Sequence, residues 1–209
     1  MSLARGLDLR RPLRATAAHG YAHVTHAVEG SFLRSLRREL ERGPFQRFEG
    51  SFGLVHQEIE GYDVLEPMDG FPLVAELRDE LAGLLRRNAR GIAGLATWWP
   101  NEAGVARYHP GSIGITPHLD GKWYRRLVAV VTVNGTAPFT VCRDRAGEVI
   151  ERWDAGPGSL TLMRAPGLAG YRDGRPFHTV EGPRRGTRCS IGFRMNTRPA
   201  ETAKPSPNG

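Results

Sequence analysis

The hydrophobic period of the chain changes part-way along its length. Phe32, Leu33, Leu36 and Leu40 recur at helical spacing. Ser31 stands before them as an N-cap, and Gly43-Pro44 stops the run. A second helix is expected from about Pro72, with Leu73, Leu77, Leu81, Leu84 and Leu85 on one face and proline in the first turn. Residues 21–28 read as a first strand. Residues 45–70 carry Phe45, Phe48, Phe52 and Tyr62 without a clear period and read as irregular. From about residue 94 the period becomes two. Strand-like runs fall at 105–108, 114–118, 127–133, 139–143, 149–153, 159–164, 177–181 and 188–195. Turn signals separate them: Pro110-Gly111, Asn134-Gly135, residues 144–147 and Gly156-Pro157-Gly158. This pattern predicts a mainly β (α+β) protein, a sandwich, barrel or jelly roll with N-terminal helices buttressing one sheet.

The 209 residues suit one domain. Residues 1–15, with four Arg and one Asp, read as a flexible basic arm, and 198–209 as a disordered tail. Residues 16–197 then form the domain: a helical, substrate-facing region to about 93 and a β core over 94–197. No apolar run is long enough to span a membrane, and the first residues lack the apolar segment of a secretory signal. Cys142 and Cys189 cannot build a disulfide framework and read as small buried hydrophobes, so the cytoplasm is the expected compartment. The net charge of +7 suits a polyanionic partner. It is equally explained by a bias toward arginine, since Lys122 and Lys204 are the only lysines. No run of basic residues marks a nucleic-acid tail.

The candidate chemistry lies in the β-rich half. Two His-x-acid triplets occur, His56-Gln57-Glu58 and His118-Leu119-Asp120. Taken alone, each reads as a surface histidine beside a solvated carboxylate. The second ends a predicted strand, where positions i and i+2 share a face. His178 follows 58 residues after Asp120, near the start of another strand. Two His and one carboxylate on a β scaffold, with coordination positions left open, make the facial triad of non-haem Fe(II) oxygenases. The last strand adds a separate signal. Its even face is Arg188, Ser190, Gly192 and Arg194, and its odd face is Cys189, Ile191 and Phe193. Beside the triad, the even face reads as an arginine fork for a dicarboxylate rather than a solvated outer face.

Together these residues resemble the Fe(II)/2-oxoglutarate-dependent dioxygenases over about residues 94–197. Arg188-x-Ser190-x-x-Phe193-Arg194, and Tyr108-x-x-Gly111 ahead of the His-x-Asp triplet, are similar to the AlkB-like branch. The resemblance implies a double-stranded β-helix, a jelly-roll variant. It implies Fe(II) on His118, Asp120 and His178, with 2-oxoglutarate and O2 as cosubstrates. Arg188 would bind the distal carboxylate of 2-oxoglutarate and Tyr108 would hydrogen-bond it, with Ser190 and Arg194 close by. The implied reaction converts 2-oxoglutarate to succinate and CO2 while oxidising a C–H bond.

Trp123 and Tyr124, in a loop expected at the barrel mouth, are candidate substrate contacts; covering the barrel end is the equal alternative. The 164–176 loop, with Arg164, Tyr171, Arg172 and Arg175, is a further candidate rim, with a plain solvated connection as the favoured alternative. Trp98-Trp99 read as core or sheet edge. Two departures from the AlkB pattern bear on substrate: Ala106 stands where Asn is usual, and residues 45–70 do not match a nucleotide-recognition lid. The sequence therefore points to a small organic substrate, an amino acid or natural-product intermediate. One alternative is AlkB-like demethylation of an alkylated nucleobase or nucleic acid. Another, from a different class, is a non-catalytic β-sandwich binding module. Oligomeric state is not legible.

Overall fold

Alternating side chains make the strands, and their pairing makes the site. The computed structural model describes residues 1–198. It contains α1 (Arg10–His19), β1 (Tyr21–Val24), α2 (Gly30–Leu40), β2 (Gln46–Phe52), β3 (Val55–Leu65) and α3 (Pro72–Asn88). There follow β4 (Glu102–Tyr108), β5 (Gly114–His118), β6 (Tyr124–Asn134), β7 (Ala137–Cys142), β8 (Val149–Ala155), β9 (Leu160–Arg164), β10 (Phe177–Val180) and β11 (Arg188–Asn196). The strands order as β1-β9-β6-β11-β4-β3-β5-β10-β7-β8, with β2 on β3 alone. Every pairing is antiparallel.

The sheet turns at β3, which pairs with β4 over residues 60–65 and with β5 at Gln57 and Glu58. One leaf is then β1-β9-β6-β11-β4-β3 and the other β5-β10-β7-β8. This is the predicted jelly roll. The Asn134-Gly135 turn carries the chain from one leaf to the other, with Gly135 at φ 69°. A Cβ there would lie 2.3 Å from the Thr187 carbonyl oxygen, so only glycine fits.

Two apolar clusters result. The outer one packs Leu13, Leu36, Leu40, Leu77 and Leu81 of the helices against Ala103, Val105, Leu127, Ala129, Ile191 and Phe193 of the large leaf. The inner one lies between the leaves and includes Val128, Phe139, Val141, Met163 and Val180.

Three sequence expectations are corrected. Residues 1–15 are not a loose arm. Leu3, Leu9 and Leu13 are buried in the outer cluster, Leu3 bridges to Val28, and the backbone N–H groups of Ser2 and Leu3 donate to Glu80. The four arginines of that segment all stay exposed, so composition hid three buried leucines. Residues 45–70 are not irregular. They hold the β2–β3 hairpin, and β3 makes part of the sheet. Its inward positions include the polar Gln57 and Asp63 and the small Gly61, which erase the hydrophobic alternation. Ser31 does not cap α2. Glu29 occupies the N-cap position, and no side chain caps this end. A capping carboxylate acts on α3 instead: buried Glu39 accepts from the Leu73 and Val74 amides at 3.0 Å, tying α2 to the start of α3. The tail expected to be disordered lies, from residue 199 on, outside the described residues.

Candidate metal and cosubstrate site

The sheet register brings the triad together. His118 closes β5, His178 lies in β10, and the two are direct cross-strand partners. Asp120 follows β5 by two residues. One ligand atom from each of the three lies within 4.8 Å of the others. The imidazole centroids are 4.2 Å apart and their planes are tilted by 52°. Nδ1 of His118 contacts the Thr116 carbonyl at 2.9 Å, and Nδ1 of His178 contacts the Pro176 carbonyl at 3.2 Å. A carbonyl only accepts, so each Nδ1 carries the hydrogen and each Nε2 keeps a free lone pair for a metal. Burial, then the neighbouring His178, pushes His118 from 6.5 to about 3, so it is a neutral ligand at neutral pH. Phe139 stacks on His178 with a 5.4 Å centroid separation and a 6° interplanar angle, fixing that ring.

The 164–176 loop, read as a solvated connection or a rim, braces this site instead. Arg175 pairs with Asp173 at 2.7 Å and donates through Nη1 to the backbone carbonyl of Asp120. Arg164 donates to the carbonyls of Ala17 and Gly174 and lies 4.0 Å from the Tyr171 ring centroid. The other His-x-acid triplet builds nothing comparable. His56 is exposed and bonded to the Ser51 hydroxyl, and Glu58 accepts from the Ile113 amide.

A cavity of about 140 Å³ adjoins the triad. The two sides of β11 divide as the alternation requires: Arg188, Ser190, Gly192 and Arg194 line the cavity, while Cys189, Ile191 and Phe193 enter the outer core. Arg188 pairs in register with Tyr108, and Ser190 with Ala106. The Arg188 side chain is 1% exposed. Nη2 donates to the Thr132 hydroxyl at 3.1 Å, whereas Nε and Nη1 have no hydrogen-bond partner among the described residues. Burial pushes this guanidinium below its ordinary value, with the nearby Tyr108 opposing the shift. A buried arginine with two unmatched N–H directions facing a cavity fits a carboxylate. The residues present therefore suit both groups that the sequence implied: a divalent first-row metal on an N2O donor set, and a dicarboxylate on Arg188.

Arg194 is placed differently from Arg188. Its Nη1 donates to Glu102 at 3.0 Å and to the Tyr124 hydroxyl at 3.1 Å, with Asp63 at 3.7 Å. Glu102 also accepts from the Tyr124 hydroxyl at 2.9 Å and from the Asn196 amide. Gly104 makes the room: a Cβ there would lie 2.7 Å from the Arg194 guanidinium. Tyr124, expected in a loop, begins β6 and is buried, because its hydroxyl completes this network. Trp123 does line the cavity, half-buried, with the Arg198 guanidinium 3.0 Å from its ring centroid. Sequence reading missed Asp63, Glu102 and Asn196. Extending the even-numbered face of β4 back by two pairs from Ala106 would have found Glu102, opposite Arg194. Trp98 is core, as expected: it is 1% exposed, and its Nε1 donates to the Leu127 carbonyl. Cys142 and Cys189 are buried free thiols.

No protein-family model and no curated protein matches the chain. Solved structures do. A prolyl-4-hydroxylase from Pseudomonas putida is 18% identical with a TM-score of 0.62, over 90% of this chain and 98% of that one. A 2OG-Fe(II) oxygenase from Burkholderia pseudomallei is 12% identical with a TM-score of 0.62, over 95% and 94%. The structure of OsALKBH1 is 16% identical with a TM-score of 0.55, over 84% and 98%. The jelly roll of this chain is the fold of the 2OG-Fe(II) oxygenases. Among the described residues no helix is long and apolar enough to cross a membrane.

Proposed function

We propose that this chain, built on the 2OG-Fe(II) oxygenase fold, is an Fe(II)- and 2-oxoglutarate-dependent dioxygenase that oxidises a C–H bond of a small organic substrate. The observation that carries the reading is the convergence of His118, Asp120 and His178 on one point, beside a buried Arg188 with two unmatched N–H directions. Fe(II) and 2-oxoglutarate would supply the activation of O2, with succinate and CO2 as coproducts.

The protein's own share is positioning. His118 and His178 present Nε2 lone pairs fixed by their Nδ1–H bonds, and Arg175 holds the loop that carries Asp120. Arg188 takes the distal carboxylate of 2-oxoglutarate, with Thr132 fixing its guanidinium from behind. Tyr108 and Ser190 lie on the same cavity face and complete the cosubstrate site. Arg194 lies near it but is held by Glu102, so it positions rather than binds. Trp123 forms part of the substrate wall. The cavity wall of Phe48, Ile59 and Trp123 suits a small organic molecule.

Metal titration followed by a succinate assay tests this. Wild type should bind one Mn(II) per chain and, with Fe(II), 2-oxoglutarate and O2, form succinate. Asp120→Ala should lose both. Metal binding and succinate formation undiminished in that variant would remove the triad from the reaction.

A second reading, AlkB-like demethylation of an alkylated nucleobase or nucleic acid, draws on the fold likeness to OsALKBH1 and the charge of +7. It predicts oligonucleotide binding that weakens steeply with added salt.

A further inference from the structure

Asp63 lies near the C-terminal end of β3, and its side chain belongs to the cavity wall. Among the described residues its only ion-pair partner is Nη1 of Arg194 at 3.7 Å, and no hydrogen bond to it forms; Glu102 lies close enough to act on its charge. That cation is already committed, since Glu102 holds the same nitrogen at 3.0 Å. Glu102 in turn is saturated by Arg194, Tyr124 and Asn196. Arg194 thus balances Glu102, and Asp63 is left over.

The metal end leaves nothing to offset it. On the function proposed above, the two positive charges of Fe(II) and the one of Arg188 balance Asp120 and the two carboxylates of 2-oxoglutarate. Arg198 also lines the cavity, but its guanidinium is stacked on Trp123 and, among the described residues, it forms no ion pair with Asp63. Asp63 therefore has no cation that is not shared with Glu102. Phe48, Ile59 and Trp123 line the same cavity, and a carboxylate beside aromatic faces is a suitable environment for a cation. Burial pushes the Asp63 carboxyl up, Arg194 pulls it down and Glu102 raises it, and an arriving cation would lower it.

We infer that Asp63 selects a substrate bearing a cationic nitrogen, a protonated amine or a similar centre, and places it in the cavity beside the iron. The inference rests on the cavity being an oxygenase site, so its test must separate the two. The Asp63 side chain is 37% exposed, and solvent screening limits the contact to about a five- to tenfold preference.

The probes are benzylammonium and its neutral near-isostere benzyl alcohol. They are titrated into the anaerobic complex with Mn(II) and 2-oxoglutarate, and ligand NMR provides the readout. Benzylammonium should bind about five- to tenfold more tightly. Asp63→Asn should erase that preference and keep the affinity for benzyl alcohol, whereas Asp63→Glu should keep the preference. Equal binding of the two probes, no binding of benzylammonium, or a preference that survives in Asp63→Asn would each overturn the inference. Metal and 2-oxoglutarate affinities from the same samples supply the control. If neither binds to wild type, the oxygenase reading fails first. If both bind while the cation preference is absent, only the role of Asp63 falls. A thermal melt of Asp63→Asn matching wild type shows that the comparison is between folded proteins.

Discussion

The two faces of β11 lie one residue apart in the chain and build opposite environments. Cys189, Ile191 and Phe193 enter the outer apolar cluster under the helices. Arg188, Ser190 and Arg194 face the cavity, where a buried guanidinium is left with unmatched donors. The outer face gains stability from area removed from water. The inner face gives some of it up, because a buried charge without a full set of partners is costly. One strand therefore carries the fold on one side and the chemistry on the other, and substitutions on the two sides should act with different signs.

The largest effect is expected on the outer face. Phe193 is fully buried, and Phe193→Ala should cost about 3–5 kcal/mol of stability by leaving a cavity. Denaturant melts measure this, and the folded fraction should still bind Mn(II). On the inner face, Arg188→Met should leave the stability of the ligand-free protein unchanged, or raise it by about 1–4 kcal/mol. Affinity for 2-oxoglutarate should fall by about two to three decades in the same variant. A destabilisation matching that of Phe193→Ala would show that Arg188 holds the fold and would break the contrast.

Acid should find the inner face first. His118 is held neutral far below its ordinary 6.5, so between about pH 6.5 and 3 the unfolded chain takes up more protons than the folded one. Stability of the metal-free protein should thus fall as the pH falls through that window, with a slope approaching about 1.4 kcal/mol per pH unit from this group. His118→Asn should flatten the slope, whereas Phe193→Ala should lower the whole curve without changing it.

The smallest effect belongs to the cavity wall. Trp123→Ala should leave iron and 2-oxoglutarate affinity nearly intact while oxidation of substrate falls and uncoupled succinate formation persists. Succinate and oxidised product measured in parallel decide it: equal loss of both would place Trp123 with the barrel rather than the pocket.

Much of the site was legible because strand periodicity acts locally. His118 and Asp120 share a strand-end face whatever the topology, and the even positions of 188–194 segregate arginine from apolar residues before any pairing is known. All eight runs read as strands after residue 94 are strands, most with ends shifted by one to three residues. The structure departs from the reading where polar residues face inward or apolar ones are sparse. β3 places Gln57, Gly61 and Asp63 on the cavity side, so it shows no alternation, and α1 buries Leu13 among arginines.

By itself, then, the sequence determined which residues could share a face and that a β core follows a helical segment, while its resemblance implied the metal and the cosubstrate. Only the tertiary structure decided what crosses between strands. It set His178 beside His118 by inserting β10 between β5 and β7, and paired Glu102 with Arg194 across β4 and β11. It also left Asp63 sharing Arg194 with Glu102. The physical reason is that alternation is a property of each strand's own backbone, whereas register and charge balance depend on which strands meet.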